Sequence, residues 1–293
     1  SSTWSTPEDG VFAFRLNSDG DVLEFFGDDI EKLAWINRAC SLSDLSPGEL
    51  LSSLMAAASA DGLLSKSAFI AAVEDLMPSR ADLSADESGL LDLMFGNMFD
   101  AFKEAGSHQG RVAVQEVAMG FSVLSGGDKS SKLALAFDIL DTDDDGLLGP
   151  LQFYKYLRSF LAMLCALSKS SITLLANGTL SGVISSTAEE ATEAIFLEAE
   201  RRREGFVSFE EFGNWYTNGG FRAVPWLELL DLRKWTLAQA ACASAVTPQL
   251  PPSSSLPTPA TQAIESSGSS SNSNVIVFAF RLTEEGDVLE FTE

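Results

Sequence analysis

The residues best placed to do chemistry are Asp141-Thr142-Asp143-Asp144-Asp145-Gly146-Leu147-Leu148. Three carboxylates stand at alternate positions and a glycine follows at once. That spacing suits a hard divalent cation. The oxygens converge as the backbone curls, and glycine at the sixth position permits the φ > 0 turn that brings the seventh round. Without a positive ion, four neighbouring aspartates repel one another. Other reactive constellations are missing. A lone histidine, His108, cannot build a zinc site that needs two or three, and Cys40, Cys165 and Cys242 lack the paired spacing of a structural zinc site. There is no Gly-x-Ser-x-Gly elbow, Walker loop or dinucleotide fingerprint, so the chain is not expected to be an enzyme.

The flanks of the acidic loop read as helices. Lys132 to Leu140, KLALAFDIL, puts Leu133, Phe137 and Leu140 on one face. Gln152-Phe153-Tyr154-Lys155-Tyr156-Leu157 begins a second helix, and Pro150 suits its first position. The whole resembles the EF-hand family. Carried over position by position, the resemblance implies side-chain ligation by Asp141, Asp143 and Asp145, and backbone carbonyl ligation by Leu147. It leaves a water at Gly149 and places Gln152 at the twelfth position. Gln152 is the departure: the family places there a Glu that grips calcium with both oxygens, whereas Gln offers one neutral oxygen. The implied ion is Ca²⁺, with an affinity on the order of 10⁻⁵ to 10⁻³ M and a narrowed margin over Mg²⁺. Two alternatives stand beside this reading: an acidic solvated turn, and a hand that keeps its fold without metal.

Three degenerate copies of the loop are expected. Around Gly205 lie Glu200, Arg202, Glu204, Ser208 and Glu211; Arg202 puts a cation where an oxygen belongs. Around Gly110 lie Ala105, Ser107, Gln109 and Glu116, and around Gly62 lie Ala57, Ser59, Asp61 and Ala68. The eighth position is apolar in every loop (Leu64, Val112, Leu148, Val207). In the family those residues form a short β-bridge between paired loops. The stretch 94–153 looks like neuronal calcium sensors and calcineurin-B-like proteins. The expected fold class is therefore mostly α, with paired EF-hands (helix-loop-helix), an N-terminal β-hairpin and a flexible C-terminal linker.

Other elements must hold these loops in place. Ser46-x-x-Glu49, Ser84-x-x-Glu87 and Thr187-x-x-Glu190 are capping-box signatures ahead of apolar-periodic runs. Residues 11–25, VFAFRLNSDGDVLEF, return at 277–291 as VFAFRLTEEGDVLEF, differing only at 17–19. Each copy reads as a hairpin with Phe12, Phe14 and Leu16, or their counterparts, on one face. The repeat predicts one unit of a tandem array, cut just after the next unit begins. The expected boundaries are a hairpin over 1–30, a degenerate first pair of hands over 31–125 and a second pair with a C-terminal helix over 126–236. An Ala/Pro/Ser-rich linker over 237–274 and the next unit from 275 follow. The segment Phe221–Leu232 is read as an apolar helix completing the core, with return into the groove of the hands as its alternative. Met55, Met94, Met98, Met119 and Met163 are read as core, with a target groove as theirs.

The net charge is −23, from 42 acidic and 19 basic residues. It repels phosphate backbones and anionic surfaces and excludes nucleic-acid binding. The short run Arg201-Arg202-Arg203 is read as a solvated helix end. No apolar run is long enough for a membrane span, and a cytoplasmic location fits the odd cysteine count. The expected function is a calcium-responsive sensor or regulatory module acting through loop 141–152 on an unidentified protein or peptide partner. The alternative is a structural scaffold module in a tandem-repeat protein, with little metal dependence.

Overall fold

The computed structural model describes residues 10–77, 83–103, 110–245, 279–282 and 288–292. The chain divides into a body, Asp9–Cys242, and a second unit made of Ser1–Glu8 with Ala243–Glu293. His108 and loop positions 105–109 lie outside the described residues.

The body opens with an antiparallel hairpin, β1 (Gly10–Arg15) and β2 (Val22–Phe26). Alternation buries Phe12, Leu16, Leu23 and Phe25 and leaves Ala13 and Arg15 exposed. A two-stranded hairpin is marginal alone. This one is held by the body: the rings of Phe12 and Phe25 meet the Trp235 indole edge-on, with centroids 5.9 and 4.8 Å away, and Ser168 Oγ donates to the Glu24 carbonyl at 2.5 Å. In the second unit, β7 (Ala279–Leu282) pairs with β8 (Val288–Thr292). There Phe280 faces Phe291, whereas in the body Phe14 faces Leu23. Nearly identical segments thus pair two residues out of step at Phe280 and Arg281.

The rest of the body is helical. In order come α1 (Gly27–Cys40), α2 (Pro47–Ala57), α3 (Lys66–Asp75), α4 (Ala85–Ala101), α5 (Val114–Phe121), α6 (Lys129–Leu140), α7 (Pro150–Leu167), α8 (Lys169–Ala176), α9 (Leu180–Glu198), α10 (Phe209–Thr217) and α11 (Leu232–Ala245). Ser46 caps α2 and Ser84 caps α4, each in a reciprocal Ser/Glu capping box with Glu49 and Glu87. Helix α7 is the axis. From Tyr156 to Leu167 every residue is buried, and α5, α4 and α9 pack on it; a helix apolar all round is a core helix. Gly120 lets α5 approach closely: a Cβ there would sit 2.4 Å from both the Ser159 carbonyl oxygen and the Phe102 ring. Among the described residues no single helix is long and apolar enough to cross a membrane.

Three local expectations are corrected. Thr187 is not a cap but lies inside α9, which begins at Leu180; its hydroxyl bonds back to the Val183 carbonyl at 2.7 Å. Thr and Ser can also bond to the preceding turn within a helix, so a Thr-x-x-Glu pattern fits both places. Residues 237–245, assigned to the linker, continue α11 to Ala245. The run Leu237-Ala238-Gln239-Ala240-Ala241 favours helix by propensity, and Trp235 and Ala238 are buried; residues 246–274 lie outside the described residues. The segment 221–232 is not one helix but two 3₁₀ turns, Gly220–Arg222 and Pro225–Leu230. Trp226, Leu227, Leu229 and Leu230 are buried against α6 and α7.

Candidate metal centre

The acidic loop joins α6 to α7. Asp141 ends α6, its N–H still bonded to the Phe137 carbonyl at 3.0 Å. Its carboxylate then organises the turn: Oδ1 accepts from Asp145 N at 3.1 Å and Oδ2 from Gly146 N at 2.8 Å. Asp145 repeats the device with Leu147 N at 3.0 Å. Asp144 and Gly146 take φ of +56° and +75°. Those values suit aspartate, whose short polar side chain tolerates the left-handed region, and glycine, which has no Cβ to clash there. The carboxylate oxygens of Asp141, Asp143 and Asp145 come within 4.8 Å of one another. Three anionic oxygens converging on one point, two of them from exposed residues, can hold a hard cation.

The other two expected ligands stand differently. Leu147 begins a two-residue strand, β5 (Leu147–Leu148), directly after the aspartates. Gln152 is already engaged: its Oε1 accepts from Gly149 N at 2.9 Å, closing the first turn of α7.

The loop is fixed from the side. Strand β5 pairs antiparallel with β6 (Val207–Ser208), Leu147 opposite Ser208 and Leu148 opposite Val207. A second ladder joins β3 (Leu63–Leu64) to β4 (Val112–Ala113). The loops thus lie two by two, with Leu64, Val112, Leu148 and Val207 all buried.

The described parts of the companion loops are held by side chains, some of their own and some from neighbouring elements. In 200–211, Glu211 Oε1 accepts from Arg202 N at 2.7 Å and Oε2 from Ser208 N at 2.8 Å. Burial raises the Glu211 carboxyl, but those backbone donors, the Ser208 hydroxyl and the Arg202 charge outweigh it, and the net shift is downward. The Arg202 guanidinium points to Glu210 at 3.2 Å. Arg203 crosses to the acidic loop and lies 3.0 Å from Asp145 Oδ2. In 57–68, Ser59 Oγ bonds to Asp61 at 2.5 Å, and Arg111 Nη1 lies 2.9 Å from Asp61 Oδ2. Glu116 is held by Arg158 Nη1 at 2.6 Å, while Arg158 Nη2 donates to the Phe102 carbonyl.

Two buried cations had no signal in the sequence. Arg158 lies inside α7. Lys132 Nζ donates to the carbonyls of Val123 and Leu230, both at 2.9 Å, tying the end of α5 to the turn Pro225–Leu230. Burial lowers its pKa to about 8 despite Asp231 and Asp128 nearby. Of the methionines weighed as a groove, Met94, Met98, Met119 and Met163 are buried and Met55 is exposed. Burial pushes the Cys165 thiol up to about 12, which leaves it no thiolate for nucleophilic work. No protein-family model matches the chain, and no curated protein matches it significantly.

Proposed function

We propose that residues 141–152 are a calcium-binding EF-hand loop, and that the body is a four-hand EF-type module in which protein groups hold loops 57–68 and 200–211. One observation carries this: the carboxylates of Asp141, Asp143 and Asp145 converge at alternate positions ahead of a left-handed Gly146, between two helices. Asp141, Asp143 and Asp145 would hold the ion with side-chain oxygen, Leu147 with its carbonyl and Gln152 with its single amide oxygen. The bound ion supplies charge that cancels the repulsion among the aspartates. The donor set is all oxygen, which suits Ca²⁺ first and Mg²⁺ second. With a neutral twelfth residue the expected affinity is about 10⁻⁵ to 10⁻³ M.

The response would be a change in the angle between α6 and α7 that alters apolar surface offered to a protein or peptide partner. The chain would then act as a calcium-responsive regulatory module rather than as a catalyst. A cytoplasmic setting is part of the same reading. The scaffold reading keeps one specific support: the ladders and the Glu211 and Arg111 contacts hold the other loops without an ion.

The test is calorimetric titration of the whole chain with Ca²⁺, beside Asp141→Ala/Asp145→Ala. Binding by the parent and none by the double variant is expected; no heat from the parent sinks the calcium reading. A hydrophobic dye separates the two roles, since a sensor gains dye-accessible surface with calcium and a scaffold does not.

A further inference from the structure

The run 201–203, read from sequence as a helix end, lies in the loop after α9, which stops at Glu198. Its three arginines go to three places. Arg201 lies over the Phe196 ring, Arg202 turns to Glu210, and Arg203 alone reaches the acidic loop. The β5–β6 ladder sets the two loops side by side. Arg203 then stacks on the Phe206 ring, 4.3 Å from its centroid, and places Nη1 3.0 Å from Asp145 Oδ2. Asp145 Oδ1 is already taken by Leu147 N. Both oxygens of this aspartate are therefore engaged by protein groups.

The first pair of loops contains the same device. Asp61 is the residue just before Gly62, as Asp145 is just before Gly146. It too is met by an arginine of the neighbouring loop, Arg111, at 2.9 Å. In that loop the flanking positions Ala57 and Ala68 carry no oxygen ligand, so the arginine has no competitor. Around Asp145 it does, because Asp141 and Asp143 stand ready beside it.

We propose that Arg203 is a tethered counter-ion that gates the cation site from the companion loop. It holds Asp145 while no metal is bound and must leave before Asp145 can ligate. This rests on the reading of 141–152 as a calcium loop. Arg203 therefore sets the affinity of that loop, and it makes the affinity depend on salt in a way the ligands alone would not. A unit charge competing with a divalent ion for one carboxylate near the surface lowers affinity about ten-fold at low ionic strength. The effect fades as salt screens it.

The whole chain is titrated with Ca²⁺ at low and at high salt, as parent, Arg203→Gln and Arg202→Gln. Arg203→Gln is expected to bind about ten-fold tighter at low salt, with the gap closing at high salt, while Arg202→Gln matches the parent. Equal affinity in parent and Arg203→Gln overturns the gate and leaves the calcium loop standing. No heat from either overturns both. A second measurement needs no metal: in chelator, thermal midpoints are compared for Arg203→Gln, Asp145→Asn and the double variant. A real pair makes the double shift smaller than the sum of the single shifts by about 1–2 °C; additive shifts overturn the pairing and the gate with it.

Discussion

Loops 141–152 and 200–211 are neighbours in one ladder and reach the same shape by different means. In 200–211 a carboxylate at the far end, Glu211, folds back on two backbone N–H groups, so the loop closes on itself. In 141–152 the far end carries Gln152, engaged with Gly149, and the near end crowds three carboxylates together. One loop satisfies itself with internal hydrogen bonds; the other keeps a cluster of negative charge, where the proposed cation would sit. The frame under both is the same. Phe153 meets Phe137, Phe196 and Phe212 in edge-on or tilted ring contacts at 5.5 to 6.1 Å, so α6, α7, α9 and α10 share one aromatic cluster. Apolar packing and the ladder set the helix–loop–helix shape, and the proposed ion would act on top of it.

That lesson breaks most visibly at the shared cluster. Phe153→Ala removes a fully buried ring and is expected to cost about 3–5 kcal/mol. Urea unfolding in chelator measures it. A variant as stable as the parent there would mean that packing does not hold the frame. The next effect falls on one loop only. Gln152→Glu returns a second, charged oxygen to the twelfth position and is expected to tighten Ca²⁺ binding about ten-fold or more. Stability in chelator should barely change, and calorimetry beside unfolding separates the two readouts. A shift in chelator as large as the shift in calcium would deny Gln152 a place at the ion.

In metal-free protein the order of the loops should reverse. Glu211→Ala leaves the N–H groups of Arg202 and Ser208 without their acceptor beside a buried residue, at a cost of about 1–3 kcal/mol. Asp141→Ala removes similar turn bonds, but at a more open site, and also relieves repulsion; less than about 1 kcal/mol is expected. Equal losses in chelator would erase the distinction between a self-closed loop and an ion-requiring one.

Much of this arrangement was legible in the residues. Asp141, Asp143, Asp145 and Gly146 announced a curled acidic turn because local spacing alone dictates which oxygens converge. Ser46/Glu49 and Ser84/Glu87 announced α2 and α4 because a capping box is satisfied within four residues. Long-range pairings were not legible. Arg203 on Asp145, Arg158 on Glu116 and Lys132 on two carbonyls each join elements far apart in sequence, and a charged letter does not say which element it will meet. Thr187 misled because its hydroxyl bonds the preceding turn as well as it caps a helix. Residues 237–241 misled because an alanine-rich, uncharged run suits a spacer and a helix equally until Trp235 packs against the hairpin.

The smallest effect tests the self-closed loop by acid. The Glu211 carboxyl is held below its ordinary 4.5 in the folded chain: burial pushes it up, but the Ser208 and Arg202 donors win. A carboxylate depressed on folding contributes stability above its unfolded value and loses it as pH falls through the folded one. The urea midpoints of parent and Glu211→Gln, in chelator, should therefore differ by a constant amount from pH 7 to about 5 and converge below about 4.5. Other depressed carboxylates, Asp61, Glu49, Glu87 and Asp231 among them, are common to both chains, so their acid losses cancel in the difference. A gap that does not narrow at all as pH falls from about 4.5 through the acid range would mean that the charge of Glu211 is not what closes its loop. Glutamine, already the natural residue at the matching position 152, would then serve both loops equally well.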